Sequence, residues 1–172
     1  MKRHVLLVGL PGVGKSTVGQ LVAEGLGAAL LDIDSILVRQ MGMPISRIFG
    51  MVGELRFRSM ERDAVATAQA REPAVIVPGG GWASQPGQLE EARKGCLIIY
   101  LRCSASTAAR RSQDGEVRPL LVGADPVGRS RTLLMAREPY YKLADYEVSA
   151  DLKEPAALAG EVILLAQMHG GW

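Results

Sequence analysis

The sequence is poor in several residue types that mark special classes of protein. Among its 172 residues there are only 2 Cys, aromatic residues make up 5%, and Asn is absent. Cys96 and Cys103 end one apparent strand, about 23 Å apart at the rise of a strand, so they cannot pair with each other. A chain of this length buries roughly 70% of its unfolded surface and needs no disulfide. We therefore expect free thiols in a reducing compartment.

Membranes and nucleic acids are also disfavoured as partners. No apolar run reaches the roughly 20 residues that cross a bilayer, and the first residues lack the pattern of a signal peptide. The 20 basic and 18 acidic residues leave a net charge of only +2, which is a weak basis for binding nucleic acid. We expect a cytoplasmic monomer that acts on a small molecule.

The most informative stretch is residues 9–17, GLPGVGKST, which fits the pattern G-x-x-x-x-G-K-[ST]. An apolar strand over 5–8 precedes it, and apolar residues at helical spacing follow over 17–26. In that context the glycines let backbone N–H groups converge on a phosphate at the start of a helix. Lys15 then binds the β- and γ-phosphates of a nucleotide, and the Ser16 hydroxyl binds Mg²⁺. A chance match in a glycine-rich chain is the alternative.

Two acidic residues follow the second apolar strand, which we predict over residues 28–33. Asp32 and Asp34 are two residues apart, so on a strand they share a face at the edge where α/β sheets bind ligands. One carboxylate could act through water on Mg²⁺, and the other could accept a proton from an acceptor hydroxyl. The alternative is that Asp34 only caps the helix that follows it.

Residues 34–70 are predicted to form helices that are broken at 42–44 and near Gly50. Glu54, Arg58 and Glu61 repeat every three to four residues on one face of the last helix. Surface helices commonly carry such charged ladders, so the pattern alone leaves both a functional site and a solvated face open.

Three consecutive glycines, Gly79, Gly80 and Gly81, follow the third predicted strand at 74–77. Glycine is costly in chain entropy, so a run at the carboxyl end of a strand indicates close approach of the backbone to a ligand. A flexible turn is the alternative.

The second half of the chain predicts a fourth strand at 96–101, a helix ending near 109, a helix over 126–141, an edge strand at 146–149 and a closing helix over 155–168. Pro139 is expected to end or kink the helix that contains it. His4 and His169 have no ligand partner in the sequence and are expected at the surface. No repeat or linker is present, so we predict one domain over residues 1–172.

Residues 112–125 contain Asp, Gly and Pro with little apolar periodicity, and Arg110, Arg111 and Arg118 lie in or beside them. This composition predicts a mobile lid that closes over phosphates and excludes water. Solvated surface arginines are the alternative for each of the three.

Together these blocks resemble the shikimate kinase family. The resemblance runs from about residue 4 to residue 165 and extends to Ile48-Phe49, Arg118-Pro119-Leu120-Leu121, and Arg137 with Tyr140. It implies a nucleoside-monophosphate-kinase-like P-loop α/β fold, with a five-stranded parallel sheet in the order 2-3-1-4-5 flanked by helices and a mobile lid. It also implies transfer of the ATP γ-phosphate to the 3-hydroxyl of shikimate, in the pathway to chorismate.

The resemblance assigns roles to individual residues. A substrate-binding segment is expected over about 33–62, and the residues that match shikimate-binding positions are Asp34, Arg58, Gly79, Gly80, Gly81 and Arg137. Asp34 is also the expected base, and Glu61 is expected to fix the Arg58 guanidinium. The residues that match the nucleotide site are Gly12, Val13, Gly14, Lys15, Ser16, Thr17, Arg110, Arg118 and Pro155. Lys15 and Arg118 match groups on the transferring phosphate, Arg110 and Pro155 match the pair that flanks adenine, and Ser16 with Asp32 matches the Mg²⁺ site.

Several features of the sequence bear on the choice between related functions. Trp82 places a large side chain directly after the triple glycine, where it could reshape the acceptor pocket. A gluconate kinase on the same fold is the nearest alternative, but it gives no reason for two arginines and a triple glycine around a carboxylated ring. A guanine-specific switch normally uses N-K-x-D, which a chain without Asn lacks. A P-loop protein acting on nucleic acid is disfavoured by the near-balanced charge.

Overall fold

The computed structural model describes residues 1–113 and 125–172. These residues form a parallel sheet of five strands with helices packed against it. The elements in chain order are β1 His4–Val8, α1 Lys15–Leu26, β2 Leu30–Asp32, α2 Ile33–Met41, α3 Ile45–Gln69, β3 Val75–Val77, α4 Gln88–Ala92, β4 Cys96–Arg102, α5 Ala105–Gln113, α6 Pro126–Tyr141, β5 Tyr146–Ser149 and α7 Pro155–His169.

The strands pair in the order β2-β3-β1-β4-β5, and every pairing is parallel. All residues of β1 and β3, and all but the last of β4, are buried. Parallel strands covered by helices on both faces are apolar throughout, which is why these segments lack the alternation of a half-exposed strand. The predicted sheet and its strand order are confirmed.

Because all five strands run the same way, the loops that follow them meet at one edge of the sheet. The glycine-rich loop follows β1, Asp32 ends β2, and the triple glycine follows β3. Ligands of open α/β sheets bind at this carboxyl edge. The fold therefore gathers the predicted site residues on one side of the molecule.

The relation between Asp32 and Asp34 differs from the prediction. The second strand ends at Asp32, and α2 begins at Ile33, so the two aspartates do not share a strand face. Asp32 rather than Asp34 caps α2, since its side chain accepts a hydrogen bond from the backbone N–H of Ser35. Because the helix begins at Ile33, Asp32 occupies the N-cap position, where Asp is favoured, and Asp34 lies in the first helical turn.

The predicted helix breaks are only partly correct. The chain is interrupted between α2 and α3 at 42–44, as expected, but the second break lies at Gly53, whose φ is 80° and ψ 168°. Only glycine adopts that conformation readily, so the kink falls there rather than at Gly50. In α6 the helix continues past Pro139 to the buried Tyr141, because tertiary packing outweighs the roughly 3 kcal/mol that an internal proline costs.

His4 is not at the surface, contrary to the prediction. It belongs to the central strand β1 and is 6% exposed. Its Nδ1 accepts a hydrogen bond from the backbone N–H of Ala74 at 3.1 Å, and its Nε2 lies 3.1 Å from the carbonyl oxygen of Gln69. With Nδ1 accepting, Nε2 carries the proton and donates, so the buried imidazole is satisfied by two backbone groups. His169 is exposed and stacks on Tyr146, with ring centroids 4.7 Å apart.

Candidate active site

The phosphate loop and the start of α1 form the floor of a cavity of about 570 Å³. Gly14 precedes α1 in a left-handed conformation with φ 99°, and no side chain caps the helix. Because the N-cap residue is a glycine, it offers no side chain to the first N–H groups of α1, as is common at helix ends that bind phosphate. The Lys15 ammonium folds back over the loop and donates to the carbonyls of Gly9 at 2.8 Å and Leu10 at 2.9 Å.

Ser16 and Asp32 are adjacent, although they are 16 positions apart in the chain. The Ser16 hydroxyl donates to Asp32 Oδ2 at 2.5 Å. The pair joins the start of α1 to the end of β2, and both residues line the cavity. A hydroxyl and a carboxylate are oxygen ligands of the kind that Mg²⁺ prefers.

A second, smaller cavity adjoins the first. Four residues line both cavities, namely Pro11, Asp34, Gly79 and Gly80. Asp34 therefore lies where the two cavities meet, which is the position required of a group that acts on an acceptor beside a nucleotide. The other residues around the second cavity are Ile45, Phe49, Phe57, Arg58, Glu61, Gly81 and Arg137.

The two arginines of the second cavity are buried, at 7% exposure for Arg58 and 6% for Arg137. Arg58 Nη1 donates to Glu61 Oε2 at 2.6 Å, and Glu61 is only 1% exposed. The charged ladder on α3 is thus a buried pair, with the exposed Glu54 at 3.7 Å from Arg58 as its third member. The pairing of Glu61 with Arg58 confirms the expected contact.

Each of these arginines also keeps a donor for a further partner. Arg58 Nε and Arg137 Nη1 are buried and have no hydrogen-bond partner within residues 1–113 and 125–172. A buried unpaired donor is costly, so such groups are normally satisfied by a ligand or by water. Two guanidinium groups beside one small cavity favour an acceptor that carries a carboxylate.

Burial also shapes the acidity of Glu61. Desolvation raises the pKa of its carboxyl above the usual value of 4.5, and the Arg58 guanidinium opposes this without cancelling it. The nearby carboxylate of Asp34 adds to the rise. Glu61 and Asp34 therefore interact electrostatically across the acceptor cavity.

The triple glycine is required by the side chains that press against it. A Cβ on Gly81 would meet three atoms of the Arg58 guanidinium within 2.6 Å, and one on Gly80 would lie 3.0 Å from Arg137 Nη1. A Cβ on Gly79 would clash with the Glu61 carboxylate. The run is a surface against which buried charged side chains pack, which disfavours a flexible turn, and the close approach of its backbone to a ligand stays a prediction.

Trp82 does not enter the acceptor cavity. Its side chain is 2% exposed, belongs to the hydrophobic core, and lines neither of the two cavities. Because the indole is in the core and lines neither cavity, the structure gives it no direct effect on the shape of the pocket. Its Nε1 has no hydrogen-bond partner within the described part of the chain.

On the nucleotide side, Arg111 rather than Arg110 lines the first cavity, together with Pro155. Arg111 donates to the carbonyls of Val13 at 2.9 Å and Ala150 at 3.1 Å, whereas Arg110 is exposed. The sequence contained a signal for this, because the buried alanines of α5 put position 111 nearer the packed face than position 110. The role of Arg110 at adenine stays a prediction.

The predicted lid lies mostly outside the described residues. Ser112 and Gln113 complete α5, and Asp125 caps α6 by accepting from the N–H of Gly128 at 2.9 Å. Arg118 falls within residues 114–124, outside the described part, so its catalytic assignment also stays a prediction.

No helix in the described part of the chain is long and apolar enough to cross a membrane. The strand order, the glycine-rich loop between the central strand and the first helix, and the adjoining acceptor cavity together define a P-loop kinase.

Comparison with known proteins gives the family. The model of the shikimate kinase family matches residues 11–167. A shikimate kinase from Moorella thermoacetica is 38% identical over 162 residues, covering 94% of this chain and 93% of that protein. The structure of shikimate kinase from Acinetobacter baumannii in complex with shikimate superposes with a TM-score of 0.91 at 31% identity, covering 98% and 94% of the two chains. The chain belongs to the shikimate kinase family and is an ATP-dependent kinase.

A gluconokinase from Sinorhizobium meliloti is a more distant structural neighbour, with a TM-score of 0.67 at 19% identity and coverage of 98% of this chain and 94% of that one. Identity this low shows a shared fold alone. The family match confirms the resemblance to shikimate kinases that the sequence shows. The gluconate alternative is not favoured.

Proposed function

We propose that this chain transfers the γ-phosphoryl group of ATP to the 3-hydroxyl of shikimate, giving shikimate 3-phosphate and ADP in the pathway to chorismate. The observation that carries the proposal is the pair of buried arginines, Arg58 and Arg137, each with an unpaired donor beside the cavity that adjoins the phosphate loop. The carboxylate of a small polyhydroxylated acid supplies the hydrogen-bond acceptor that these two donors lack.

The acceptor is held from three sides. The guanidinium groups of Arg58 and Arg137 bind its carboxylate, and the backbone of Gly79, Gly80 and Gly81 lies against its ring. Asp34 binds its hydroxyl groups, because it lies where the acceptor cavity meets the nucleotide cavity. Glu61 touches Arg58 and fixes the direction of its fork.

ATP binds along the first cavity. The backbone of residues 12–17 surrounds the phosphates, with Lys15 and, from the lid, Arg118 neutralising the charge of the group in transfer. Pro155 lies at the base end, and Arg111 is better placed than Arg110 to face adenine because it lines the cavity.

Mg²⁺ is the expected metal, and Ser16 and Asp32 are the residues that would hold it. Their oxygen atoms fit a hard cation, and Mg²⁺ typically takes few protein ligands because it keeps water and phosphate oxygens. When bound, the ion neutralises phosphate charge. Within the described residues there is no group of three or more His, Cys, Asp and Glu side chains that could hold a metal ion.

In the transfer itself, a new bond forms between the acceptor oxygen and the γ-phosphorus, and the bond from that phosphorus to the β,γ-bridging oxygen breaks. Asp34 accepts the hydroxyl proton as the acceptor oxygen gains its bond. The remaining work of the protein is positioning and charge neutralisation, which is the usual demand of phosphoryl transfer. We place the enzyme in the cytoplasm as a monomer of one domain, with no nucleic-acid partner.

The test is ADP release by the purified protein with ATP and Mg²⁺, with shikimate, quinate or gluconate as the acceptor. Stimulation by shikimate, well above that by the other two, is the expected result. Equal or greater stimulation by gluconate would reverse the proposal, and no stimulation by any of them would leave the chain a nucleotide-binding protein of a different reaction.

A further inference from the structure

The hydroxyl of Tyr141 reaches from the end of α6 to the triple glycine. It donates a hydrogen bond to the carbonyl oxygen of Gly80 at 2.6 Å, across 61 positions of the chain. The Tyr141 side chain has no exposed surface, and burial raises the pKa of its phenol, although the neighbouring Arg137 guanidinium opposes the rise. The phenol is therefore protonated at neutral pH and acts as the donor in this bond.

The same glycine is also where Arg137 approaches. Arg137 and Tyr141 are four residues apart on α6 and so lie on one face of the helix. A Cβ on Gly80 would lie 3.0 Å from Arg137 Nη1 and 3.0 Å from Cδ of Pro11 in the phosphate loop. Gly80 thus lies close to both Arg137 and the phosphate loop, and its carbonyl oxygen accepts the hydrogen bond of the Tyr141 hydroxyl.

We propose that Tyr141 is a positioning residue for the acceptor: its hydrogen bond to Gly80 fixes the triple-glycine loop against Arg137, so that the guanidinium meets the acceptor carboxylate in one orientation. Tyr141 lines neither cavity, so it acts through Gly80 and Arg137 and touches no substrate. The identity of the acceptor rests on the function proposed above, but the coupling of Tyr141 to Arg137 does not.

A neighbouring tyrosine makes a matched comparison. Tyr100 on β4 packs against Tyr141 with ring centroids 5.2 Å apart, and its hydroxyl donates to Glu138 Oε2 at 2.7 Å. It anchors the same turn of α6 to the sheet but makes no hydrogen bond to the triple glycine within the described residues. Removing either hydroxyl deletes one hydrogen bond that α6 makes to the rest of the protein, and only the Tyr141 bond reaches the acceptor side.

The experiment compares Tyr141→Phe with Tyr100→Phe in steady-state kinetics, with shikimate and ATP varied separately, and in thermal unfolding. We expect Tyr141→Phe to raise the KM for shikimate roughly tenfold, as for a buried carbonyl left without its donor, with kcat and the KM for ATP changed less than about twofold. Both variants are expected to lower the unfolding temperature by similar amounts, because each loses one hydrogen bond between α6 and the rest of the protein. Tyr100→Phe, however, should leave the KM for shikimate unchanged.

Two outcomes would overturn the inference. One is a Tyr141→Phe enzyme with the wild-type KM for shikimate. The other is an equal change in both variants, which would mean that the tyrosines only support the packing of α6. A wild-type enzyme that shikimate does not stimulate would instead count against the proposed function. Quenching of protein fluorescence by ATP and by shikimate, measured on each variant without turnover, reports the binding of each ligand directly. It therefore distinguishes failure of this inference from failure of the proposed function.

Discussion

Arg58 and Glu61 form an ion pair one helical turn apart, with Nη1 and Oε2 separated by 2.6 Å and both side chains buried. The pair is costly to keep, because burial raises the pKa of Glu61 even with the arginine beside it. A buried pair of this kind adds little to stability, but it holds a guanidinium in one orientation. In the proposed function, that orientation lets Arg58 present its buried donor Nε, which has no partner in the described part of the chain, to the carboxylate of shikimate.

The first prediction concerns this pair. Glu61→Gln is expected to raise the KM for shikimate about tenfold, because an amide no longer fixes the fork by charge. The matched control is Glu54→Gln, which removes a carboxylate 3.7 Å from the same guanidinium. The Glu54 side chain, in contrast to that of Glu61, is 61% exposed. This control should change the KM less than about twofold, since an exposed partner contributes little. Equal effects of the two changes would contradict a special role for Glu61.

The same variant predicts a pH dependence. The folded-state pKa of Glu61 lies above 4.5, so the folded protein binds this proton more tightly than the unfolded chain. The stabilising contribution of Glu61 is therefore complete below pH 4.5 and is lost as the pH rises through the folded-state pKa. Denaturant unfolding at several pH values should show the stability of wild type falling relative to Glu61→Gln over that window. A difference independent of pH would contradict the raised pKa.

The second prediction tests the proposed base. Asp34→Asn is expected to lower kcat by about 10²- to 10⁴-fold, because an amide does not accept the acceptor proton. Binding of ATP should be unchanged, since Asp32 and not Asp34 caps α2 and contacts Ser16. The measurements are turnover with shikimate and equilibrium binding of ATP. Near-normal turnover would exclude Asp34 as the base.

The third prediction concerns the second arginine. Arg137→Ala should raise the KM for shikimate roughly a hundredfold, as expected for loss of a buried guanidinium that binds a carboxylate, with ATP affinity nearly unchanged. Arg131→Ala removes an exposed arginine from the same helix and serves as the control. Parallel loss of affinity for both substrates would assign Arg137 to the nucleotide or to the fold.

The fourth prediction concerns Mg²⁺. Asp32→Asn keeps a residue that caps helices well, so α2 is expected to stay folded. The Mg²⁺ concentration needed for half-maximal activity should rise about tenfold, because the carboxylate beside Ser16 is lost. The KM for shikimate is the internal control and should not move. An unchanged Mg²⁺ dependence would remove Asp32 from the metal site.

The fifth prediction tests the packing of the triple glycine. In Gly81→Ala the new methyl group falls within 2.6 Å of the Arg58 guanidinium and must displace it. We expect the KM for shikimate to rise at least tenfold, by the same loss of carboxylate binding as above. Gly160→Ala in α7 is the control, because nothing lies within 4 Å of its added Cβ. That change should stabilise the protein by about 0.5–1 kcal/mol.

Two points that the sequence could not decide share one physical cause. The ladder of Glu54, Arg58 and Glu61 has the same spacing whether its helix faces water or a cavity, so the sequence could not show that two of its members are buried. Likewise the sequence matched Arg110 to the nucleotide site, which stays a prediction, and only the structure shows that Arg111 lines the cavity. A shift of one residue on a helix turns a side chain by about 100°.

The sequence by itself determined the apolar central strands, the phosphate loop and the family. Local composition carries these features, since a strand buried on both faces must be apolar throughout and a phosphate cradle needs its glycines at fixed spacing. Only the tertiary structure decided which charged groups are buried, that Asp34 lies between two cavities, and that Tyr141 reaches Gly80. Those contacts join residues far apart in the chain, and burial depends on what packs above a helix face rather than on the residues that form it.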